Sequence, residues 1–141
     1  MTRVVFDTNI IVSALLQPQG PSAQLFVLAL SGAIQFCVTG SIYTEYEEVI
    51  RRPRFKRTEE TITGALEAIR VKALWVRPSV QVKACADPDD DMFLECAQAA
   101  RADYLATGNL RHFPATWQEC RIVAPRWLLD TLSGGKPEST R

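Results

Sequence analysis

The chain has 141 residues, 47% of them hydrophobic, which fits one domain with a sizeable core. Its 16 basic and 16 acidic residues cancel, so charge alone excludes a nonspecific polyanion binder. One histidine, His112, and four cysteines without a Cys-x-x-Cys pair argue against an imidazole-rich zinc site, a Ser/Cys-His relay and a disulfide framework.

No apolar run approaches the ~20 residues that cross a bilayer, and the first residues lack the pattern of a signal peptide, so a cytoplasmic protein is expected. Val4 to Phe6 predicts a short buried strand, and the spacing of Ile10, Ile11, Ala14 and Leu15 after Asp7-Thr8-Asn9 predicts a helix. Residues 17–21, QPQGP, break the chain. Ser22 is placed to cap a helix through Leu25, Phe26 and Leu30 that Gly32 closes, and Ile34 to Thr39 predicts a second strand.

Gly40-Ser41 reads as a turn with Ser41 as cap, opening a helix that carries Tyr43, Tyr46, Val49 and Ile50 on one stripe and Glu45 in its first turns until Pro53 stops it. Ile62, Ala65, Leu66 and Ile69 predict a helix over 58–71, followed by a short strand at Leu74 to Val76. Asp89, Asp90 or Asp91 opens the next helix, whose stripe is Phe93, Cys96, Ala97 and Ala100. Strands at 104–107 and 121–123 follow, then a helix begun by Pro125, and 133–141 reads as a polar, disordered tail.

Strands alternating with helices imply crossover connections, a mainly parallel sheet and helices on both faces. Ligands of such sheets gather at the carboxyl ends of the strands. Asp7 and Asn109 each follow a strand, and Glu45 and Asp90 open helices expected at that same edge. Taken singly, each acid has a structural explanation as a turn residue, dipole partner or cap. As a set they repel one another unless a cation neutralises them, and Mg²⁺ or Mn²⁺ takes carboxylate oxygens while leaving positions for water and phosphate. That chemistry hydrolyses a phosphodiester without histidine or cysteine.

At these residues the sequence resembles the PIN-domain ribonucleases, particularly toxins of toxin-antitoxin systems related to VapC. The resemblance spans almost the whole chain in four ordered blocks: "VVFDTNIIVSALL", "TGSIYTEYEEVIRRPRF", "DPDDDMFLECAQAARADYLATGN", and "LRHFP" followed by "APRWLL". It implies a three-layer α/β/α PIN-like nuclease domain over 1–132, metal-dependent cleavage of RNA, a homodimer and a small antitoxin protein as partner. Carried over residue by residue, it makes Asp7, Glu45 and Asp90 the catalytic metal ligands for Mg²⁺ or Mn²⁺, with Asp87, Asp91 and Asn109 competing for the role. Asn9, Ser41 and Thr107 match supporting polar positions. Many relatives carry aspartate where this chain has Asn109, and an amide adds no charge, so a second ion should bind more weakly here.

The basic run Arg51, Arg52, Arg54, Lys56 and Arg57 reads either as a complement to a helix C-terminus or as an RNA-guiding patch, with Arg51, Arg52 and Arg54 the candidates. Phe55, Trp75 and Trp127 suit packing better than base stacking. Asp103 reads as a turn residue and His112 as a structural residue beside Phe113. An antitoxin would dock on an apolar groove between the 22–30 and 43–50 helices. A haloacid-dehalogenase-like phosphatase is disfavoured because Asn9 stands where that chemistry needs a second acid. The other alternative is an inactive PIN-like module that binds RNA or a partner protein, which Asn109 invites and the three acids oppose.

Overall fold

The computed structural model describes residues 1–134. The predicted tail, 133–141, therefore lies outside the described residues from 135 onward. Strands β1 (Arg3–Phe6), β2 (Gln35–Val38), β3 (Leu74–Trp75), β4 (Tyr104–Ala106), β5 (Thr116–Trp117) and β6 (Cys120–Val123) form one sheet in the order β3-β2-β1-β4-β6-β5. Helices α1 (Thr8–Leu16), α2 (Pro21–Ser31), α3 (Gly40–Ile50), α4 (Glu59–Lys72), α5 (Asp91–Ala100) and α6 (Pro125–Leu132) connect and cover it. All pairings are parallel except β5 with β6. No helix among the described residues is long and apolar enough to cross a membrane.

Successive residues of a strand point to opposite faces, and Val4, Val5 and Phe6 are all fully buried. Both faces of β1 are therefore covered, as a parallel sheet requires. Helices α1, α2 and α6 pack together, whereas α5 packs on β1, β2 and β4, which gives the expected three-layer α/β/α arrangement. Phe6, Phe36, Tyr46 and Phe93 are among the largest fully buried side chains, and Phe6 meets Phe36 at 4.8 Å between ring centroids.

Register is what prepares the site. Phe6 pairs with Ala106 and Ala106 with Val123, so β1, β4 and β6 end level. Asp7 N then donates to Ala106 O at 3.0 Å and Thr107 N to Val123 O at 3.0 Å, extending the ladder by one rung to the residues that leave the sheet. At the other end Arg3 is clamped: its backbone N–H donates to Asp103 Oδ2 at 2.8 Å and its guanidinium to Gln35 Oε1 and Ala100 O, each at 2.8 Å. Asp103 thus holds a strand start.

Three local expectations are corrected. Thr39, not Ser41, caps α3: its hydroxyl accepts from Ile42 N at 3.2 Å, because Thr39 keeps extended backbone while the helix already begins at Gly40. Gly20 rather than Ser22 precedes α2, with Pro21 supplying a preset first turn. The hairpin strand β5 was not foreseen. Its Gln118-Glu119 turn places Gln118 at φ 53°, a left-handed conformation usually announced by glycine or asparagine.

The expected groove between α2 and α3 is also corrected: α1 packs against both helices. A shallow apolar cleft lies instead beside α1, lined by Val12, Leu15, Leu16, Ile50, Phe55 and Arg57. Trp75 packs on Tyr43 at 5.2 Å and Trp127 on Tyr104 at 5.8 Å, so both serve packing.

Candidate active site

Asp7 leaves β1 and precedes α1, where an aspartate would ordinarily cap the helix, yet its side chain makes no such capping bond. The carboxylate turns to the neighbouring strand instead. Thr107 Oγ1 donates to Asp7 Oδ2 at 2.7 Å, and Asn9 Nδ2 donates to the same oxygen at 3.1 Å. The contact spans 100 residues of sequence and exists because β1 and β4 end in register. Asn9 Oδ1 accepts from Gly108 N at 3.1 Å, and Thr107 Oγ1 accepts from Asn109 N at 2.9 Å. Residues 7–9 and 107–109 are thereby tied into one unit.

Glu45 approaches from α3, where Thr8 Oγ1 donates to its Oε2. The next residue, Tyr46, is fully buried, and its hydroxyl donates to Phe6 O at 2.5 Å. That bond links the helix carrying Glu45 to the strand carrying Asp7. Thr8 and Tyr46 were not singled out from sequence, although each adjoins a candidate acid and could have been found that way.

Asp90 ends a short 3-10 turn, Pro88–Asp90, and precedes α5. Burial raises all three acids: Asp7 is raised against the hydrogen bond from Thr107 and the amides of Thr8 and Asn9, and Glu45 against the bond from Thr8, with the Asp7 charge adding to the rise. Asp90 is pushed up to about 6 by burial first, then by the charges of Asp7 and Asp87, with His112 acting in the opposite sense and Glu45 adding to the rise. The charges of Asp7, Glu45 and Asp90 thus lie near enough to act on one another.

The structure separates the other candidates. Asp87 Oδ1 accepts from Asp89 N at 2.9 Å, capping the 3-10 turn while its charge still reaches Asp90. Asp91 is committed elsewhere: its Oδ1 accepts from Ala84 N at 3.0 Å and Cys85 N at 2.8 Å, clamping the loop before it. Burial pushes the Asp91 carboxyl up, but those two amides outweigh it and hold it below the usual value. Ser41 makes no bond to the acids; it lines an open groove of about 430 Å³ with Thr44, Glu45, Glu48, Pro88 and Asp89. Asn109 contributes its backbone N–H to Thr107 and precedes the short turn Leu110–His112.

His112 is a correction. Phe113 is buried, but the His112 side chain is 56% exposed and places Nδ1 3.8 Å from Asp90 Oδ2. A lone histidine three residues beyond Asn109 was the available signal. Of the basic run, Arg51 pairs with Glu59 at 2.5 Å and Glu47 at 3.7 Å, Arg52 with Glu48 at 3.8 Å, and Arg54 stacks over Phe55 at 4.8 Å. These three arginines are thus engaged with neighbouring side chains.

Among the described residues, no three His, Cys, Asp or Glu side chains are grouped tightly enough to enclose a metal ion. The donor chemistry of Asp7, Glu45 and Asp90 nevertheless suits a hard divalent cation: the donors are carboxylate oxygens whose charged forms destabilise one another. A cation between them would complete its shell with water, as Mg²⁺ usually does.

Comparison with known proteins bears on the fold and the family. The chain is 27% identical over 110 residues to the uncharacterized protein MJ1680 of Methanocaldococcus jannaschii, covering 76% of this chain and 70% of that protein. Its fold is similar to a chain in the crystal structure of VapBC2 from Rickettsia felis bound to a DNA fragment from their promoter, with a TM-score of 0.59 and 13% identity over 87% of this chain and 98% of that one. The PIN domain family matches residues 3–111, from the first strand to the turn beside the acids, and the chain belongs to that family.

Proposed function

We propose that this protein is a ribonuclease that uses Mg²⁺ or Mn²⁺ to hydrolyse RNA phosphodiesters, as the toxin of a toxin-antitoxin pair. PIN domains are generally nucleases, and the fold likeness to VapBC2 supports the toxin reading. What supports the chemistry is that Asp7 after β1, Glu45 in α3 and Asp90 before α5 are raised above their ordinary values by burial, with the charges of Asp7 and Glu45 acting on Asp90 and that of Asp7 on Glu45.

Asp7, Glu45 and Asp90 would hold the cation. When bound, it lowers the pKa of water and neutralises charge developing at phosphorus. Thr107 and Asn9 orient the Asp7 carboxylate, and Thr8 orients Glu45, so that two of the three oxygens sets are preorganised before substrate arrives. The groove beside Glu45 is open rather than enclosed, as an extended strand would require. A homodimer and a small antitoxin protein belong to the same reading.

The test is cleavage of a mixed tRNA and single-stranded RNA pool in Mn²⁺ by the wild type and Asp7→Asn, purified identically. Cleavage by the wild type alone is expected. No cleavage by either, with RNA still retained, would transfer the protein to the class of inactive binding modules that Asn109 invites.

A further inference from the structure

We propose that the turn formed by residues 109–112 is a phosphate-gripping rim, on which Arg111 and His112 hold the backbone of single-stranded RNA against the acids. The inference rests on the ribonuclease reading and adds the surface that receives the substrate. Its first ground is attachment. The turn hangs from the same hydroxyl that orients Asp7: Thr107 Oγ1 donates to Asp7 Oδ2 at 2.7 Å and accepts from Asn109 N at 2.9 Å. His112 N then donates to Asn109 O at 3.0 Å, which closes the turn. A group on this turn is therefore held in fixed relation to Asp7.

The second ground is charge. An RNA strand nearing Asp7, Glu45 and Asp90 meets like charge, and the guanidinium of Arg111 at the rim offsets that repulsion. His112 supplies an exposed ring whose Nδ1 lies 3.8 Å from Asp90 Oδ2. Arg111 is exposed and takes no hydrogen bond, ion pair or ring contact among the described residues. Its planar guanidinium matches phosphate oxygens in pairs. The arginines at the end of α3 are engaged otherwise: Arg51 with Glu47 and Glu59, Arg52 with Glu48. Releasing them for RNA would strand those glutamates beside the incoming phosphates.

The experiment measures binding of an end-labelled, mixed-sequence, single-stranded RNA by fluorescence anisotropy at several salt concentrations, with Asp7→Asn as the background so that turnover does not intervene. Adding Arg111→Ala should flatten the dependence of log K on log salt by about 0.7, the value for one phosphate contact on a single strand. At low salt, binding should weaken about fivefold. Arg111→Lys should keep the salt slope, and His112→Asn should weaken binding without lowering the unfolding temperature. The double variant Arg51→Ala, Arg52→Ala should leave the slope nearly unchanged. An unaltered slope in Arg111→Ala, or a larger loss in the Arg51 and Arg52 double variant, overturns the rim. Cleavage by the wild type on the same RNA separates the two readings: an active wild type with an unaltered Arg111→Ala slope removes the rim alone, whereas neither cleavage nor binding removes both.

Discussion

Replacing Asp90 with asparagine should make the metal-free protein more stable. Asp90 titrates near 6 rather than at its ordinary 3.8, because burial and the charges of Asp7 and Asp87 disfavour its charged form. The native state consequently binds this proton more tightly than the unfolded chain does. Stability contributed by the protonated carboxyl is present below about pH 4, declines as pH rises through about 6, and is absent at neutral pH. Unscreened, the displacement corresponds to about 3 kcal/mol. Solvent reaches this half-buried side chain, so screening reduces the usable figure to about 1 kcal/mol. Asparagine keeps the shape and carries no charge, and for a chain of this size it should raise the unfolding temperature by about 3–5 °C. The assay is thermal unfolding of wild type and Asp90→Asn in EDTA, repeated across the acid range. The gap should be widest at neutral pH and close toward pH 4. Equal or lower stability of the variant at neutral pH would refute the claim that these acids repel one another in the folded protein.

Other outcomes separate the roles assigned to neighbouring residues. Tyr46→Phe removes the hydroxyl that donates to Phe6 O and should cost about 1–2 kcal/mol in a denaturation series, with no loss expected if the bond were incidental. Asp91→Ala orphans the amides of Ala84 and Cys85 and should destabilise by about 1–3 kcal/mol. If Asp91 were instead a metal ligand, the same variant would chiefly lose Mn²⁺ affinity in calorimetry. Calorimetry of the RNA-free wild type should register one firm Mn²⁺ site, since Asn109 adds no charge toward a second, and two tight sites would contradict this.

Strands β1, β2 and β4 were legible as short apolar runs that end at polar residues, whereas β5 carried no such pattern, and Asp7 was legible because it ends such a run. The pairing of Asp7 with Thr107 was not, since it depends on the register of β1 with β4, which no local pattern encodes. Four aspartates within 87–91 left Asp90 and Asp91 hard to separate. The difference is conformational: the 3-10 turn ends at Asp90, so Asp91 becomes the first residue of α5 and its carboxylate reaches back to the loop at 84–85. Within the arginine cluster, Glu47 and Glu48 stand four residues before Arg51 and Arg52 at the end of α3 and are local partners, whereas Glu59 reaches Arg51 from α4 only in three dimensions.

The three acids are not equivalent, and their inequality follows from hydroxyl placement. Thr107 donates to Asp7 and Thr8 donates to Glu45, so each of these carboxylates has a partner that favours its charged form. Asp90 accepts no hydrogen bond among the described residues, and the His112 Nδ1 stands 3.8 Å from its Oδ2. Burial raises Asp90 first and the charges of Asp7 and Asp87 add to it, with no hydrogen-bond donor to oppose them, and together they push it up to about 6. A preorganised pair beside a carboxyl whose charge is unfavourable until something positive arrives is an arrangement that ties full ionisation of the site to cation binding. In the proposed metal-binding reading, stability lost by keeping Asp90 charged without a cation would be regained on cation binding, so metal affinity and native-state strain would be two readings of the same repulsion.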